Sequence, residues 1–299
     1  MTGNGHDAKM DLASLKDTPP WDWPADAATL ILHVLRDDQA DETDRLLAAE
    51  LAGDFTVVNE ELVEALLSVL RSSVAPEDLR STAAIALGPV LEHADTDGFE
   101  DGDVPITERM FNTVRESLRE VFADAAVSKE VRRRVLEASV RAPQDWHRDA
   151  VRAAYLGDDE AWRLTAVFCM RFVRGFDELI LESLDSQNPD IHYEAVHASG
   201  EWSIEACWPH IVSLIEAEGT TKPLLLAAIG AVASIRPQDA AEVLAPLSLS
   251  DDEDVAEAVN EALVLAQGPL DDEDEDEEYE DDEDDEDDED DEDDGKLRH

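Results

Sequence analysis

The sequence predicts an all-α protein, an α-solenoid of about six to seven antiparallel helix pairs. Three observations lead to this prediction. One short pattern recurs with a period near thirty residues, the chain is 43% hydrophobic but only 5% aromatic, and a strongly acidic stretch follows the last copy of the pattern. A period of this length holds two helices, and helix pairs repeated in this way stack into a solenoid.

The recurring pattern has an apolar residue followed by small or β-branched residues four and seven positions later. Six copies occur: Leu79, Ala83, Ala86; Val131, Val135, Ala138; Trp162, Ala166, Cys169; Ile191, Ala195, Ala198; Pro223, Ala227, Gly230; and Val255, Val259, Ala262. The last four steps between copies are 31, 29, 32 and 32 residues. Since positions 0, 4 and 7 lie on one helix face, each copy predicts a helix with a buried stripe of small residues that lets neighbouring helices approach closely.

The entries to these helices carry residues that cap helix N-termini, for example Ser128, Asp159, Asn188 and Asp252. The resulting element, acid–apolar–Arg–x–x–Ala–x–x–small, resembles the second helix of a HEAT repeat, in the short bacterial form also seen in phycobilin-lyase-like proteins. The resemblance covers residues 76–267. Arginine follows the first apolar position in three of the six copies, so the later repeats depart from the family pattern.

The domain organisation follows from the pattern and the charge. Residues 1–20 are predicted to be a disordered N-terminal segment, residues 21–267 the HEAT-like solenoid, and residues 268–299 a disordered acidic tail. Residues 271–294 contain 23 acidic side chains and no basic one, so this stretch repels itself and cannot bury a core. The one irregular step, 52 residues between Leu79 and Val131, predicts an acidic loop insertion at 94–106.

Trp21 and Trp23 lie between prolines at the start of the solenoid. One interpretation is a lid that covers the open face of the first helix pair, which the end of a repeat stack needs. The other is a docking motif for another protein. Both stay open on the sequence alone.

The acidic loop partly matches a calcium-binding helix–loop–helix. Asp97, Asp101 and Glu108 would take ligand positions one, five and twelve, and Asp103 adds a further carboxylate. Phe99, however, occupies the third position, where an oxygen ligand is needed. We therefore expect a solvated acidic loop and no resident metal, with calcium as the weaker alternative.

The central part of the chain is its only basic region. Residues 109–174 carry a net charge of +3, whereas the formal charge of the whole chain is −52. This contrast predicts a surface that accepts an acidic ligand or transiently holds the acidic tail. The candidate residues are Arg132, Arg133, Arg134, Arg141, Arg163, Arg171 and Arg174.

We find no familiar catalytic constellation in the sequence. The chain has no His-Glu dipeptide of the kind that HEAT-like iron hydroxylases repeat, no phosphate-binding glycine loop and no Gly-x-Ser-x-Gly elbow. The sequence therefore predicts a protein that is not an enzyme and has no cofactor. It shows no apolar export signal and no apolar run long enough to span a bilayer, which predicts a soluble cytoplasmic protein with reduced Cys169 and Cys207 and no membrane partner.

These observations favour a non-enzymatic interaction scaffold or adaptor, as HEAT-like arrays generally are. Its partner would be a protein, with a basic partner suited to the acidic tail. Two alternatives remain: a nucleic-acid or phosphate binder using the central arginines, which the net charge of −52 disfavours, and an accessory or lyase-type HEAT protein. The sequence does not indicate the oligomeric state.

Overall fold

A computed structural model describes residues 11–100, 102 and 104–268, and throughout these residues the regular structure is helical. The α-helices are α1 (Leu12–Lys16), α2 (Ala27–Arg36), α3 (Glu42–Leu51), α4 (Glu60–Arg71), α5 (Glu77–Ala86), α6 (Gly88–Asp97), α7 (Glu108–Ala123), α8 (Lys129–Ser139), α9 (Asp145–Leu156), α10 (Glu160–Cys169), α11 (Asp177–Ser183), α12 (Pro189–Glu201), α13 (Trp208–Glu216), α14 (Lys222–Ile235), α15 (Ala240–Leu244) and α16 (Glu253–Gln267). None of these helices has both the length and the apolar content needed to cross a membrane.

The helices form two rows. Those that carry the small-residue pattern, α5, α8, α10, α12, α14 and α16, pack one against the next, and α3 precedes them against α5. We call these seven helices the repeat row. Each packs on the helix before it in the other row, which consists of α2, α4, α7, α9, α11, α13 and α15. The described residues thus form seven helix pairs, which confirms the predicted α-solenoid class.

The predicted stripes are buried in five of the six copies. Ala83, Val135, Ala166, Ala195 and Val259, which occupy the +4 positions of these copies, are all at most 1% exposed. The +7 positions of the same copies are also buried. Since these side chains are small, successive helices of the repeat row can approach one another closely.

The stripe predicted for α14 is only partly right. Ala227 is buried at 7%, but Pro223 and Gly230 are exposed, whereas Ala228 and Ala231 are buried at 0% and 3%. Ala231 faces α12, because a Cβ added to Gly200 would lie 3.0 Å from the Ala231 Cα. The error has a physical cause: α14 is apolar on nearly all sides, so periodicity does not single out the buried face.

The predicted caps are formed. Ser128, Asp159, Asn188 and Asp252 each accept a hydrogen bond from a backbone N–H in the first turn of α8, α10, α12 or α16. These bonds satisfy donors that the helix itself leaves without partners. They fix where these four helices begin.

Side-chain hydrogen bonds join three neighbouring pairs of repeats in the middle of the stack. Their partners lie 31 or 32 residues apart, which is one repeat. The bonds are Arg133 Nη1 to Thr165 Oγ1 (2.9 Å), Trp202 Nε1 to the Met170 carbonyl (2.6 Å) and Ser203 Oγ to the Ser234 carbonyl (2.8 Å). Stacking thus depends on polar contacts as well as on the small-residue stripes.

The long step between Leu79 and Val131 is only partly a loop. Residues 94–97, assigned to the acidic loop by the sequence, are the last turn of α6, in which Ala94 is buried. Before α7, Thr107 caps the helix and its N–H donates to Glu60 Oε1 at 3.0 Å. The additional residues therefore include the end of α6 as well as a loop.

Part of the N-terminal segment that was predicted to be disordered is folded. Leu12 and Leu15 of α1 are buried, so residues 12–16 belong to the folded unit. Residues 1–10, which belong to the same predicted segment, lie outside the described residues. The predicted acidic tail beyond residue 268 also lies outside them.

Candidate binding surface

Arg133 and Arg134 of α8 are paired with carboxylates of their own helix. Arg133 is 8% exposed and donates to Glu130 through Nε (3.0 Å) and Nη2 (2.5 Å). Arg134 donates to Glu130 at 3.0 Å and to Glu137 at 3.0 Å. The hydrogen bond from Arg133 is the largest cause of the lowered pKa of the Glu130 carboxyl. These guanidinium groups therefore hold α8 together and bind α10.

A second group of arginines encloses two phenylalanine rings. The rings of Phe168 and Phe172 have centroids 5.4 Å apart. The Arg141 guanidinium lies 5.5 and 5.6 Å from the two centroids, and that of Arg171 lies 5.8 and 5.9 Å from them. We call Arg141, Phe168, Arg171, Phe172 and Glu194 the arginine–phenylalanine cluster, since Glu194 closes it from α12.

Carboxylates hold both arginines of this cluster in place. Arg141 forms an ion pair with Glu92 of α6, and Arg171 Nη1 lies 3.6 Å from Glu194 Oε2. Burial raises the pKa of the Glu194 carboxyl, and the Arg171 charge opposes that shift. The cluster joins α6, α10 and α12 into one half-buried surface of rings and fixed charges.

The remaining candidate arginines are dispersed. Arg132 is half-buried on α8. Arg163 is exposed and donates to the carbonyls of Tyr155 (3.4 Å) and Gly157 (3.3 Å), while Arg174 lies 4.5 Å over the Trp202 ring. The structure thus does not gather the seven arginines into one patch, and four of them are already paired with carboxylates. The acidic-ligand site and the tail contact stay predictions.

The aromatic side chains near this surface were not predicted from the sequence. Phe168 and Phe172 are four residues apart, as are Tyr193 and His197, whose rings pack at 4.6 Å between centroids. For Tyr193 and His197, which both lie on α12, the i, i+4 spacing is the signal that would have found them. Phe172 lies beyond the end of α10, so helical spacing gives no such signal for its contact with Phe168. Burial lowers the pKa of His197 to about 4, so this ring is neutral at pH 7.

Two further histidines meet at the start of α12 and α13. His192 Nε2 and His210 Nε2 lie 2.8 Å apart, so one ring donates and the other accepts. Burial lowers the pKa of both rings, and the nearby Asp185 carboxylate opposes this shift. In the described part of the chain, no three His, Cys, Asp or Glu side chains converge as ligands for a metal ion.

The candidate calcium ligands are only partly described. Asp97 ends α6 and its Oδ2 lies 2.9 Å from His93 Nε2, whereas Glu108 begins α7. Asp101 and Asp103 lie outside the described residues. Phe99 packs on Phe111 at 5.6 Å between ring centroids, which gives this side chain a packing role. The calcium hypothesis is not tested by this geometry.

The two N-terminal tryptophans have different environments. The Trp23 indole is half-buried and its Nε1 donates to the carbonyls of Leu15 and Thr18, both at 2.9 Å. Trp21 is 78% exposed. Trp23 therefore fastens α1 to the first helix pair, and Trp21 is the one that is available to a partner.

Cys169 and Cys207 are both buried, free thiols. Burial raises the pKa of each thiol, that of Cys207 to about 11. A thiol with a raised pKa holds little of the nucleophilic thiolate form.

Comparison with known proteins adds little to this geometry. No family model matches the chain, and no curated protein matches it. A solved structure, human deoxyhypusine hydroxylase in complex with glycerol, is similar to it with 18% sequence identity and a TM-score of 0.39, covering 87% of this chain and 92% of that one. A likeness of this strength assigns neither a family nor an activity, and the resemblance to phycobilin-lyase-like repeats stays a prediction.

One prediction is nevertheless corrected. The sequence predicted that the chain is not an enzyme, largely because it lacks familiar catalytic motifs. The hydroxylase just described is an enzyme by its name, and its chain is matched over most of its length. The exclusion of enzymes was therefore wrong as a conclusion, and no activity passes from that hydroxylase to this chain.

Proposed function

We propose that this chain is a protein-binding scaffold or adaptor that holds its partner on the exposed surface of the repeat row. The observation that supports the proposal is the arginine–phenylalanine cluster. Aromatic residues and arginine are the side chains enriched at protein–protein interfaces and among their energetic hot spots.

The cluster is also preorganised. Arg141 and Arg171 are held by carboxylates and by the two phenylalanine rings, so their side chains lose little further freedom when a partner binds. A partner would cover rings that are only half-buried in the free protein. Nucleic acid suits this surface less well, because Glu92 and Glu194 neutralise the same arginines that phosphates would need.

The proposal places the protein in the cytoplasm. Its two cysteines are buried and unbonded to each other, in keeping with a reducing compartment. The partner is a protein whose identity the surface does not specify.

Site-specific photo-cross-linking tests the function. Phe172 is replaced by p-benzoylphenylalanine in the full chain, which keeps a phenyl ring at that position. The control carries the same group at Leu156, which is 68% exposed on α9 in the other row. We expect discrete cross-linked protein species in cells from position 172 and none from position 156. Identical products from both positions, or none from position 172, would contradict the proposal.

A further inference from the structure

A trough runs along α14, with α12 on one side and α16 on the other. Two cavities mark its course. One, of about 760 Å³, is lined by the N-terminal halves of the three helices, including Tyr193, Leu226 and Glu257. The other, of about 520 Å³, is lined by their C-terminal ends, including Ser234 and Leu265. At 1.5 Å per residue, the 14 residues of α14 make the trough about 21 Å long, enough for about four helical turns.

The floor of the trough is made of small side chains. Ala227, Gly230 and Ser234 follow one another at spacings of three and four, so they share one face of α14. Gly230 is exposed, and a Cβ added there would meet no atom within 4 Å. Glycine inside a helix is destabilising relative to alanine. Packing among the described residues therefore does not account for this glycine, whereas a helix lying against the floor would, because small residues allow close approach.

The walls of the trough are acidic. Asp254, Glu257 and Glu261 line it from α16. The single lysine of the lining, Lys222, already contacts Asp254 at 2.5 Å and also bonds Asp252. His197 on the opposite wall is neutral at pH 7, since burial lowers its pKa to about 4. The lining thus carries a net negative charge that complements a basic ligand.

Apolar and aromatic groups stand beside these charges. Leu265 is 63% exposed at one end of the trough, although it is a large apolar side chain. Tyr193 lines the other end, where its ring packs against His197. The trough therefore has an exposed apolar side chain at one end, small side chains along its floor and carboxylates along one edge. Grooves of this kind bind amphipathic helices.

We propose that the trough binds a basic amphipathic α-helix of a partner protein, about four turns long. The apolar face of that helix lies on the floor formed by Ala227, Gly230 and Ser234, and its lysine or arginine side chains reach Glu257 and Glu261. This assignment rests on the proposed scaffold function and names the class of segment that the scaffold recognises.

The test uses the full chain and a display library of amphipathic helices, in which basic-faced and acidic-faced members share the same apolar pattern. We expect basic-faced helices to be enriched. Replacement of Gly230 by Gln should weaken their binding by at least about tenfold, which corresponds to about 1.4 kcal/mol. Gly219→Gln is the matched control, because a Cβ at Gly219 also meets nothing within 4 Å and the residue lies outside the trough.

A second control separates the trough from the general negative charge of the protein. Glu257→Gln with Glu261→Gln should weaken binding clearly more than Glu116→Gln with Glu120→Gln, an exposed pair at the same spacing on α7. Gly230→Gln should keep the helical circular dichroism of the wild type, since glutamine is the better helix former.

The proposal is overturned if no basic-faced helix is enriched, if the enriched helices bind wild type and Gly230→Gln alike, or if the two glutamate pairs weaken binding equally. The scaffold function is judged separately by cross-linking from Phe172, which lies outside the trough. If position 172 gives cross-links but Gly230→Gln binds the basic-faced helices as well as the wild type does, the scaffold function is supported and the helix site in the trough is refuted.

Discussion

Replacement of Gly53 by alanine should destabilise the first part of the repeat row. Gly53 is buried just after α3, and a Cβ added there would lie 2.5 Å from the Ala86 carbonyl oxygen and 2.9 Å from the Ala86 Cα. Both are backbone atoms, so no side chain can rotate away. The end of α3 must instead move away from α5.

The magnitude follows from this geometry. Overpacking of a well-packed core costs typically about 1–3 kcal/mol, and a clash with rigid backbone belongs in the upper half of that range. A loss of about 2 kcal/mol lowers the Tm of a domain of 150–250 residues by roughly 4–8 °C. The matched control is Gly230→Ala, where a Cβ meets nothing within 4 Å and alanine should stabilise the helix by roughly 0.5–1 kcal/mol.

Thermal unfolding followed by circular dichroism measures both variants. Native-state hydrogen exchange shows where the Gly53→Ala protein is destabilised. Because each repeat of a solenoid contacts only its neighbours, the loss of protection from exchange should concentrate in α3 and α5. If the Gly53→Ala protein has the same Tm as the wild type, the close approach of α3 and α5 is refuted. An increase in exchange spread evenly over all repeats would refute the nearest-neighbour reasoning.

Three further predictions follow from the packing and the buried polar groups. Ala195→Phe should cost about 1–3 kcal/mol in urea unfolding, because Ala195 is fully buried between repeats; an unchanged midpoint would show that the α12 stripe faces solvent. Burial lowers the pKa of His147 from an ordinary 6.5 to about 4. As the pH falls, the unfolded chain therefore takes up the His147 proton before the folded chain does. The free energy of unfolding should decrease between pH 6.5 and pH 4, by about 2 kcal/mol at pH 5. His147→Gln should flatten this dependence between pH 7 and 5, and an equally steep loss in that variant would assign the effect to other groups. Trp23→Ala should raise hydrogen exchange in α1, since the indole bonds two of its neighbouring carbonyls, whereas Trp21→Ala should stay within about 0.5 kcal/mol of the wild type.

The sequence was a good guide to the buried side of the molecule. Small residues at fixed spacing predicted the stripes of α5, α8, α10, α12 and α16, because helices that pack closely need small side chains where they touch. The same reasoning was only partly right on α14, where apolar residues surround the helix, and it missed the last turn of α6, which the sequence placed in the acidic loop. Periodicity carries information only where polar and apolar faces differ.

The candidate surface was much less predictable. Arg133 and Arg171 were expected on a surface open to acidic ligands, but they contact Thr165 and Glu194, which are distant in the sequence. Only the stacking of one repeat on the next brings these partners together. Pairs within one helix, such as Arg134 with Glu130 and Glu137, follow from residue spacing alone, whereas contacts between repeats do not.

The bonds that join residues one repeat apart have a mechanical consequence. Arg133 to Thr165, Trp202 to Met170 and Ser203 to Ser234 each connect two neighbouring units, and the bond pattern is local. A force applied to the two ends would therefore act on neighbouring units in series, and we expect units to detach one at a time. Each detached unit of about 31 residues would release roughly 100 Å of extended chain. Steps of that length in a force–extension measurement are the expected result.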